Sequence, residues 1–282
     1  MNNRPKVTVA ALQNKKKSSR KITLLTAYDF PMASFLDQAG IDIVLVSDAV
    51  GTIGNGKPEA VSVTVDEMTY HTRAVRNGVK SSMVVTTLPF GSYNCVNEAV
   101  GNATRIMKEG GADAVHLEGT AQSAEIVRSI VNSGIPVLGH IGFTKQHMVL
   151  SGTISLPAKD AESSKRMIND AMAMAQSGAF GLIVECLPKS LGEIITRSLD
   201  IPVISIGSGA YCDGQGLVTQ DMLGLYKEQS LRFLKVYADL QQVTVSAVTQ
   251  FRNEVESGQF PTEQNSYRLD DRELDKLLNN LD

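Results

Sequence analysis

The sequence predicts an α/β protein of the (β/α)8 (TIM) barrel class, and three observations support this prediction. Short apolar, β-branched runs alternate along the chain with stretches that have helical spacing. Most helical stretches end at a glycine, the residue that best tolerates a left-handed helix terminus. A single barrel uses about 250 residues, and the chain has 282. A doubly wound open sheet has the same periodicity, because periodicity does not report closure.

Each apolar run is interpreted as a parallel strand buried on both faces, because polar and apolar residues alternate only weakly within it. The seven clear runs are ITLLTAY (22–28), IDIVLVSDAVG (41–51), SSMVVTTLPFG (81–91), ADAVHLEG (112–119), IPVLGHIGFT (135–144), AFGLIVEC (179–186) and IPVISIGSG (201–209). The predicted helices are PMASFLDQAG, TVDEMTYHTRAVRNG, CVNEAVGNATRIMKEGG, TAQSAEIVRSIVNSG, DAESSKRMINDAMAMAQSG and KSLGEIITRSLD. A weaker eighth strand near QGLVTQDMLGLY (215–226) completes the predicted barrel.

Three segments are predicted along the chain: an N-terminal arm at 1–20, the barrel at 21–265 and an acidic C-terminal tail at 266–282. The basic run NKKKSSRK (14–21) is interpreted as part of a solvated arm rather than as a binding patch. The acidic segment LDDRELDKLLNNLD (269–282) is interpreted as a terminal helix or tail, not as a second domain.

Composition excludes several classes of function. The chain is 43% apolar and 20% charged with a net charge of −3, which is typical of a globular protein and argues against a nucleic-acid partner. No apolar run approaches the ~18 residues of a membrane span, so no membrane partner is expected. The three cysteines are an odd number without metal-ligand spacing, which favours reduced thiols and a cytoplasmic location.

Polar residues at the ends of the predicted strands form one candidate pocket, because barrel enzymes place their chemistry where strands end. This rule selects Asp29, Asp48, Thr86, Thr87, His116, Glu118, His140 and Glu185. Carboxylates and imidazoles converging in one pocket suggest a divalent-metal site with a nearby base. Asp29 is equally interpreted as a helix N-cap, and His140 as a core histidine bonded to backbone. Glu185 is harder to explain structurally, because a buried acid is costly unless it is paired or used.

A glycine-rich segment, GSGAYCDGQG (207–216), is compatible with a phosphate cradle. No GxGxxG follows the first predicted strand, however, so the sequence gives only weak support for a dinucleotide site.

Motifs from about residue 20 to 265 resemble, in order, those of the ketopantoate hydroxymethyltransferase family. They are TAYD (26–29), LVSDAVG (45–51), VTVDEMTYHTRAVRNG (63–78), TLPFGSY (87–93), GADAVHLEG (111–119), IPVLGHIGFT (135–144), IVECLP (183–188) and IPVISIGSG with DGQGLV (201–218). The resemblance implies a phosphoenolpyruvate mutase-type barrel. It also implies transfer of a hydroxymethyl group from 5,10-methylenetetrahydrofolate to 3-methyl-2-oxobutanoate, a step of pantothenate biosynthesis. Mg²⁺ as cofactor and a homo-oligomer, a decamer in the family, are further implications.

The resemblance also implies roles for individual residues. Asp48 and Glu118 match the family's metal-binding acids, and Glu185 matches its proposed base. Ala49, Thr87, His116 and His140 are the expected substrate-binding positions.

Three of these positions depart from the family pattern. Ala49 replaces a Ser, Thr87 replaces a metal-binding Asp, and His116 replaces a Lys that holds the substrate carboxylate. The lid segment SGTISLPAK (151–159) differs as well. Loss of one carboxylate together with one ammonium leaves the formal charge of the pocket unchanged if His116 is neutral, which suggests a rebuilt pocket.

Two interpretations of His116 follow. His116 and Glu118 project to one face of an extended strand, so with Asp48 they provide a three-ligand set suited to Mn²⁺, Fe²⁺, Co²⁺ or Zn²⁺. Alternatively, His116 hydrogen-bonds Glu118 or a substrate carboxylate.

Three functions are therefore weighed. The first is a hydroxymethyltransferase acting on 3-methyl-2-oxobutanoate or a related 2-oxo acid. The second is a metal-dependent lyase or aldolase of the same superfamily, and the third is a non-catalytic barrel. Retention of Glu185 favours the two enzymes, whereas loss of the acid at Thr87 favours the third.

Overall fold

The computed structural model, which describes residues 4–144, 157–225 and 232–280, contains a closed barrel of parallel strands in sequence order, as predicted. The strands are β1 (Ile22–Thr26), β2 (Ile43–Val46), β3 (Met83–Thr87), β4 (Ala114–Glu118), β5 (Val137–Gly142), β6 (Gly181–Glu185), β7 (Val203–Ile206) and β8 (Gly214–Leu217). The barrel is closed by hydrogen-bonded strand pairing, because β8 pairs with β1 as well as with β7. The weakly predicted eighth strand therefore exists, and the open-sheet alternative is wrong.

Helices precede, connect and follow the strands. They are α1 (Val9–Lys17), α2 (Phe30–Gln38), α3 (Val50–Ile53), α4 (Val65–Gly78), α5 (Val96–Arg105), α6 (Ala124–Asn132), α7 (Ala161–Gln176), α8 (Lys189–Ser198), α9 (Thr219–Met222), α10 (Leu240–Glu256) and α11 (Asp271–Asn279). Thr64 and Glu67 form a capping box at the start of α4. Gly111 and Gly134 follow helical segments at φ of +78° and +84°, where a side chain would be strained.

The strands bury side chains on both faces, which explains their weak alternation. Inward-facing Leu24, Leu45, Val85 and Ile183 belong to the core inside the barrel. Outward-facing residues such as Leu117 pack against the surrounding helices in a separate cluster. The polar strand ends described below lie above this apolar interior.

The basic run is only partly solvated, which corrects its prediction in part: Lys17 and Arg20 are exposed, but two other lysines form ion pairs with the barrel. Lys15 Nζ lies 2.6 Å from Oδ2 of Asp42, a carboxylate only 1% exposed that precedes β2, and Lys16 Nζ lies 2.8 Å from Oδ2 of Asp213, which precedes β8. Lys6 makes a similar ion pair with Asp113, before β4. The arm therefore closes the N-terminal end of the barrel, because each cation neutralises an acid that the strand starts place there.

The C-terminal part of the chain leaves the barrel surface. Only the short segment 207–213 connects β7 with β8, and the short α9 follows β8. Neither α10 nor α11 contains a buried residue. The predicted acidic tail includes the helix α11, and nothing in the described residues from 240 onward is part of the closed sheet.

Two further predictions bear on regions of the chain. Most of the predicted lid, residues 151–156, lies outside the described residues. Within the part of the chain that is described, no helix is long and apolar enough to cross a membrane.

Candidate active site

A cavity of about 180 Å³ opens at the carboxyl ends of the strands. Its polar lining comes from the carboxyl ends of β1, β2, β4, β5 and β6 and consists of Thr26, Ser47, Asp48, His116, Glu118, His140 and Glu185. Apolar side chains complete the lining, Leu24, Leu45, Ile183 and Ile206 among them. Leu45 and Ile183 precede Asp48 and Glu185 along the same strands, so this aliphatic wall lies deeper in the barrel than the charged groups.

The barrel brings together most of the residues selected from the sequence. His116 and Glu118 face the cavity as predicted, whereas Leu117 between them is fully buried in the outer layer. Ala49 also lines the cavity. A strand that ends with an imidazole and a carboxylate two residues apart therefore supplies both to one site.

Four side chains from consecutive strands form a continuous polar chain. Thr87 and His116 are register partners on β3 and β4, and Thr87 Oγ1 lies 2.9 Å from His116 Nδ1. His116 Nε2 lies 3.2 Å from His140 Nδ1, and His140 Nε2 lies 3.1 Å from Glu185 Oε2. A carboxylate oxygen only accepts, so the last contact is favourable with a proton on His140 Nε2. For two neutral rings, His116 then donates to His140, and Thr87 donates to His116.

These polar contacts show how Thr87 and His140 are placed in the site. Thr87 does not line the cavity but lies behind His116, where it is 1% exposed. His140 lines the cavity, and its two ring nitrogens lie next to His116 and Glu185. Both ring nitrogens of His116 are also engaged. Coordination of a metal by His116 would require one of them to exchange its partner.

Asp48 and Glu118 are buried carboxylates, 5% and 8% exposed, that line the same cavity. Their negative charge affects the pKa of two neighbouring tyrosines. Burial raises the pKa of Tyr93 far above its ordinary value, and the Glu118 and Asp48 carboxylates raise it further. Burial likewise raises the pKa of Tyr28 to about 12, with a smaller contribution from Asp48. The two acids thus create a region of negative potential that attracts a cation.

The donor set fits a hard divalent cation better than a soft one. Within residues 4–144, 157–225 and 232–280, no three His, Cys, Asp or Glu side chains are grouped so that they alone hold a metal ion. The three-ligand set of Asp48, His116 and Glu118 is therefore not preformed there. Two carboxylates that leave the remaining positions to water and substrate oxygen are the arrangement that Mg²⁺ commonly uses.

The backbone around Glu185 is shaped by close packing of β5 on β6. Gly142, the register partner of Glu185, has φ of +107°, and a Cβ there would lie 2.3 Å from the Glu185 carbonyl oxygen. Cys186 follows with φ of +54°, which is uncommon for a residue with a side chain. Such strain concentrates at functional sites. Burial and the Glu185 charge raise the pKa of Cys186 to about 11, so its thiol is not a nucleophile at neutral pH.

Two of the selected residues lie elsewhere. Asp29 is the N-cap of α2 and accepts a 2.8 Å hydrogen bond from the Met32 amide, so the capping alternative is confirmed. Thr86 points outward, and its hydroxyl lies 2.9 Å from that of Thr72 on α4. Neither residue lines the cavity.

Sequence reasoning missed Ser47, which lines the cavity beside Asp48 and lies 2.9 Å from the Tyr28 hydroxyl, oxygen to oxygen. Its position directly before Asp48 at a strand end was the available signal. It also missed Tyr93, whose hydroxyl donates to the Glu118 carbonyl oxygen at 3.1 Å. Tyr93 comes from the loop after β3, and its contact with β4 is not visible from spacing.

Comparisons with known proteins agree with this architecture. The structure is similar to phosphoenolpyruvate phosphomutase from Streptomyces platensis subsp. rosaceus, with a TM-score of 0.60, 16% identity and coverage of 96% of this chain and 97% of the other. It is also similar to a phosphonopyruvate hydrolase solved with oxalate and Mg²⁺, with a TM-score of 0.59, 13% identity and coverage of 91% and 92%. At these identities the likeness shows the barrel fold alone.

Sequence comparison is more specific. The chain is 43% identical over 273 residues to the 3-methyl-2-oxobutanoate hydroxymethyltransferase of Clostridium botulinum (strain Alaska E43 / Type E3), covering 96% of this chain and 99% of the relative. It is equally 43% identical to the protein of the same name from Acetivibrio thermocellus, covering 96% of both. The family model for ketopantoate hydroxymethyltransferase matches residues 6–263. The chain therefore belongs to the ketopantoate hydroxymethyltransferase family.

Proposed function

We propose that this chain is a hydroxymethyltransferase that acts on 3-methyl-2-oxobutanoate, or on a 2-oxo acid close to it, in pantothenate biosynthesis. The observation that carries the proposal is the small cavity in which three carboxylates and two imidazoles face an aliphatic wall. Membership of a transferase family favours this function over the lyase and over the non-catalytic barrel that the sequence also allowed.

The cavity suits a small, branched 2-oxo acid. Its volume of about 180 Å³ is too small for a nucleotide or a sugar phosphate but accommodates a molecule of a few heavy atoms. The aliphatic side chain of the substrate would contact the wall that includes Leu24 and Ile183, and its oxygen atoms would face the polar side. In this orientation C3 lies between the two sides of the cavity.

Glu185 is the proposed base that removes the proton from C3. Its carboxylate ends β6 on the cavity, its side chain is 23% exposed, and one of its oxygens lies 3.1 Å from His140 Nε2. In the proposed role a carboxylate oxygen accepts the proton, and the neighbouring imidazole favours the ionised carboxylate. The electron pair left on C3 then forms the new C–C bond to the one-carbon unit, whose two bonds to the folate nitrogens break. Water supplies the hydroxyl group of the product, and the folate nitrogens take up the proton from C3 and the remaining proton of the water. Thr87 and His116 support this arrangement from behind, because they fix the ring of His140.

Asp48 and Glu118 are the proposed metal-binding residues, with Mg²⁺ as the expected ion. When bound, the ion would stabilise the negative charge that develops on the keto oxygen. His116 replaces the family's Lys and would contribute a neutral donor to the substrate carboxylate only after releasing its bond to His140. Asp48→Ala should eliminate metal binding measured by calorimetry, because Glu118 would then be the only one of the two proposed metal-binding carboxylates left. Unchanged affinity would mean that the metal binds elsewhere.

Three further properties belong to the proposal. The one-carbon donor is 5,10-methylenetetrahydrofolate, as for the family that the sequence resembles. The protein forms a homo-oligomer, which the unburied helix α10 supports. The cytoplasm is the proposed location, because Cys95, Cys186 and Cys212 are free.

The decisive experiment separates proton removal from transfer. In D₂O with Mg²⁺ but no folate, the protein should exchange the C3 proton of 3-methyl-2-oxobutanoate, which NMR detects directly. Adding 5,10-methylenetetrahydrofolate should then produce ketopantoate, and the gene should restore growth without pantothenate to a strain that lacks its own hydroxymethyltransferase. Absence of both exchange and product with all components present would contradict the proposed function.

A further inference from the structure

The described lining of the active-site cavity offers no cationic side chain to an anionic substrate. It contains the carboxylates of Asp48, Glu118 and Glu185, but no lysine or arginine. The proposed substrate carries a carboxylate, which requires hydrogen-bond donors when it leaves water. Ionised acids only accept hydrogen bonds, so the side-chain donors that this lining provides are imidazoles and hydroxyl groups.

The two imidazoles of the cavity already have partners. His116 Nδ1 lies 2.9 Å from Thr87 Oγ1, and His116 Nε2 lies 3.2 Å from His140 Nδ1. His140 Nε2 in turn lies 3.1 Å from Glu185 Oε2. A substrate that bonds to either ring must first replace one of these contacts, which reduces the net gain in binding free energy.

Two hydroxyl groups line the cavity, those of Thr26 and Ser47. Thr26 Oγ1 accepts from the Thr219 amide at 3.1 Å, and its own proton has an acceptor in Gln220 Oε1 at 3.4 Å. Among the described residues, Ser47 Oγ has a single hydrogen-bond partner, the Tyr28 hydroxyl at 2.9 Å. A hydroxyl group provides one donor and two acceptor sites, so Ser47 has capacity left for a ligand.

Tyr28 determines the direction in which the Ser47 proton points. Burial raises the pKa of Tyr28 to about 12, although hydrogen bonds with Ser47 and Thr26 act in the opposite direction, so the phenol keeps its proton at neutral pH. Tyr28 is only 5% exposed, and a buried donor without an acceptor is costly. Because Thr26 Oγ1 already accepts from the Thr219 amide, Ser47 Oγ is the better acceptor for the phenol proton. Ser47 is then left to donate its own proton toward the cavity.

We propose that Ser47 is the hydrogen-bond donor that binds the carboxylate of the 2-oxo acid, and that Tyr28 is the positioning residue that orients it. This inference rests on the proposed function, because it names a residue that recognises the substrate in the same cavity. Ser47 directly precedes Asp48, and both line the cavity, whereas Ala49 on the other side of Asp48 has no donor group. The carboxylate and keto groups of a 2-oxo acid are on adjacent carbons, so a donor beside Asp48 can reach the carboxylate while the metal-binding acids face the keto oxygen.

The test separates substrate binding from proton removal. For wild type, Ser47→Ala, Tyr28→Phe and the double variant, calorimetry measures affinity for 3-methyl-2-oxobutanoate with Mg²⁺, and exchange of the C3 proton in D₂O gives KM and kcat. Ser47→Ala should weaken binding and raise KM by about 10–100-fold, the usual effect of losing a hydrogen bond to a charged group. The kcat should stay within a few-fold, because the carboxylate keeps its charge throughout the reaction.

Tyr28→Phe tests the positioning role. It should raise KM by less than Ser47→Ala does, because the Ser47 hydroxyl remains but is no longer oriented. The double variant should bind the substrate no more weakly than Ser47→Ala, since Tyr28 acts through Ser47. Additive effects of the two substitutions would contradict this role of Tyr28.

Ser81→Ala is the matched control. Ser81 is also buried, and its hydroxyl donates to the Arg4 carbonyl oxygen at 2.8 Å, but it precedes β3 at the opposite end of the barrel. We expect Ser81→Ala to lower the midpoint of thermal unfolding without changing KM or the affinity for the 2-oxo acid. A rise in KM as large as that of Ser47→Ala would show that loss of stability alone accounts for the effect.

Other results would overturn the role of Ser47 directly. Unchanged affinity of Ser47→Ala for the 2-oxo acid would show that the hydroxyl does not bind the substrate. Weaker Mg²⁺ binding to Ser47→Ala without substrate would show that Ser47 supports Asp48 instead, and a fall in kcat at constant KM would place the hydroxyl at the keto oxygen. Absence of C3 exchange in the wild type would contradict the proposed base, but calorimetry would still decide the role of Ser47. A wild type that does not bind the 2-oxo acid would overturn both proposals.

Discussion

Glu185 is the residue whose role is easiest to isolate. Glu185→Gln keeps the size of the side chain and its capacity to contact His140 Nε2, which lies 3.1 Å from Oε2, but it cannot accept a proton. We expect turnover and C3 exchange to fall by about 10²–10⁴-fold, the usual contribution of a general base. Affinity for 3-methyl-2-oxobutanoate, measured by calorimetry, should change by only a few-fold. The control is Glu125→Gln, an exposed acid on α6. Turnover within a few-fold of wild type would place the base elsewhere.

The Thr87 and His116 pair tests whether the active site was rebuilt. The two side chains are 1% and 3% exposed, and Thr87 Oγ1 lies 2.9 Å from His116 Nδ1, at the positions where the sequence resemblance leads us to expect an acid and a lysine. Thr87→Asp or His116→Lys alone introduces one buried charge, whereas the double change introduces a balanced pair. We therefore expect the two substitutions to be non-additive by about 1–3 kcal/mol in a double-mutant cycle, both for Mg²⁺ binding and for ketopantoate formation.

The sign of the effect on activity distinguishes drift from rebuilding. If the pocket has only drifted, the double variant should bind Mg²⁺ more tightly and form ketopantoate faster than wild type. If the pocket was rebuilt around the imidazoles, the double variant should lose activity, because it also removes the contact between His116 and His140 at 3.2 Å. Purely additive effects on both measurements would show that the two positions are not coupled.

The sequence predicted which side chains of one strand share a face of this site, but not which side chains of different strands touch. The two-residue period of a strand is a local property, so His116 and Glu118 were correctly assigned to one face. The contact of Thr87 with His116 depends on the register between β3 and β4, which barrel closure determines and no local pattern encodes. For the same reason the sequence did not indicate that Thr86 faces α4 while Thr87 faces inward.

At the level of elements, the packing of β5 on β6 positions the base. A Cβ at Gly142 would lie 2.3 Å from the Glu185 carbonyl oxygen, and φ at Gly142 is +107°. Gly142→Ala should therefore both destabilise the protein and displace Glu185. Gly91→Ala is the matched control, since Gly91 also has a positive φ of +78° but would have nothing within 4 Å of the new methyl group.

Urea unfolding followed by circular dichroism measures the difference. Both variants lose the conformational freedom of glycine, but only Gly142→Ala adds the overlap with backbone, for which we expect a further loss of about 1–3 kcal/mol. Gly142→Ala should also reduce C3 exchange, whereas Gly91→Ala should not. Equal losses of stability in the two variants would show that the strands can separate at little cost.

Secondary-structure elements were predicted best where the pattern of buried residues lies within the element itself. They were predicted least well where an element depends on a residue that is distant in the sequence. The strands were correctly located because neighbouring residues on opposite faces of a strand, such as Val84 and Val85, are both buried. The basic arm was misjudged because the acid that binds Lys16, Asp213, lies 197 residues away in the sequence. A run of lysines does not reveal whether folding provides carboxylates for it.

At the scale of the whole molecule, the two ends of the barrel have different functions. Ion pairs between the N-terminal arm and acids such as Asp42 close one end, and the active-site cavity opens at the other end. The separation is useful, because stability at the closed end does not constrain the residues that bind substrate. The sequence predicted closure of the barrel but not the departure of the C-terminal helices from its surface.

This departure leads to the last prediction, that the chain assembles with copies of itself through α10. Val243, Val248 and Phe251 on this helix are 62%, 61% and 54% exposed, and none of its residues is buried within the chain. A contiguous apolar face of this kind marks an association surface. Light scattering should therefore give a mass that is a multiple of 30.4 kDa for the wild type. Val248→Asp/Phe251→Ser should lower this mass, because it places a charge and a hydroxyl in the contact. Ser246→Asp, which adds a charge to the opposite side of the same helix, should leave the mass unchanged; a wild type that is monomeric at micromolar concentration would contradict the prediction.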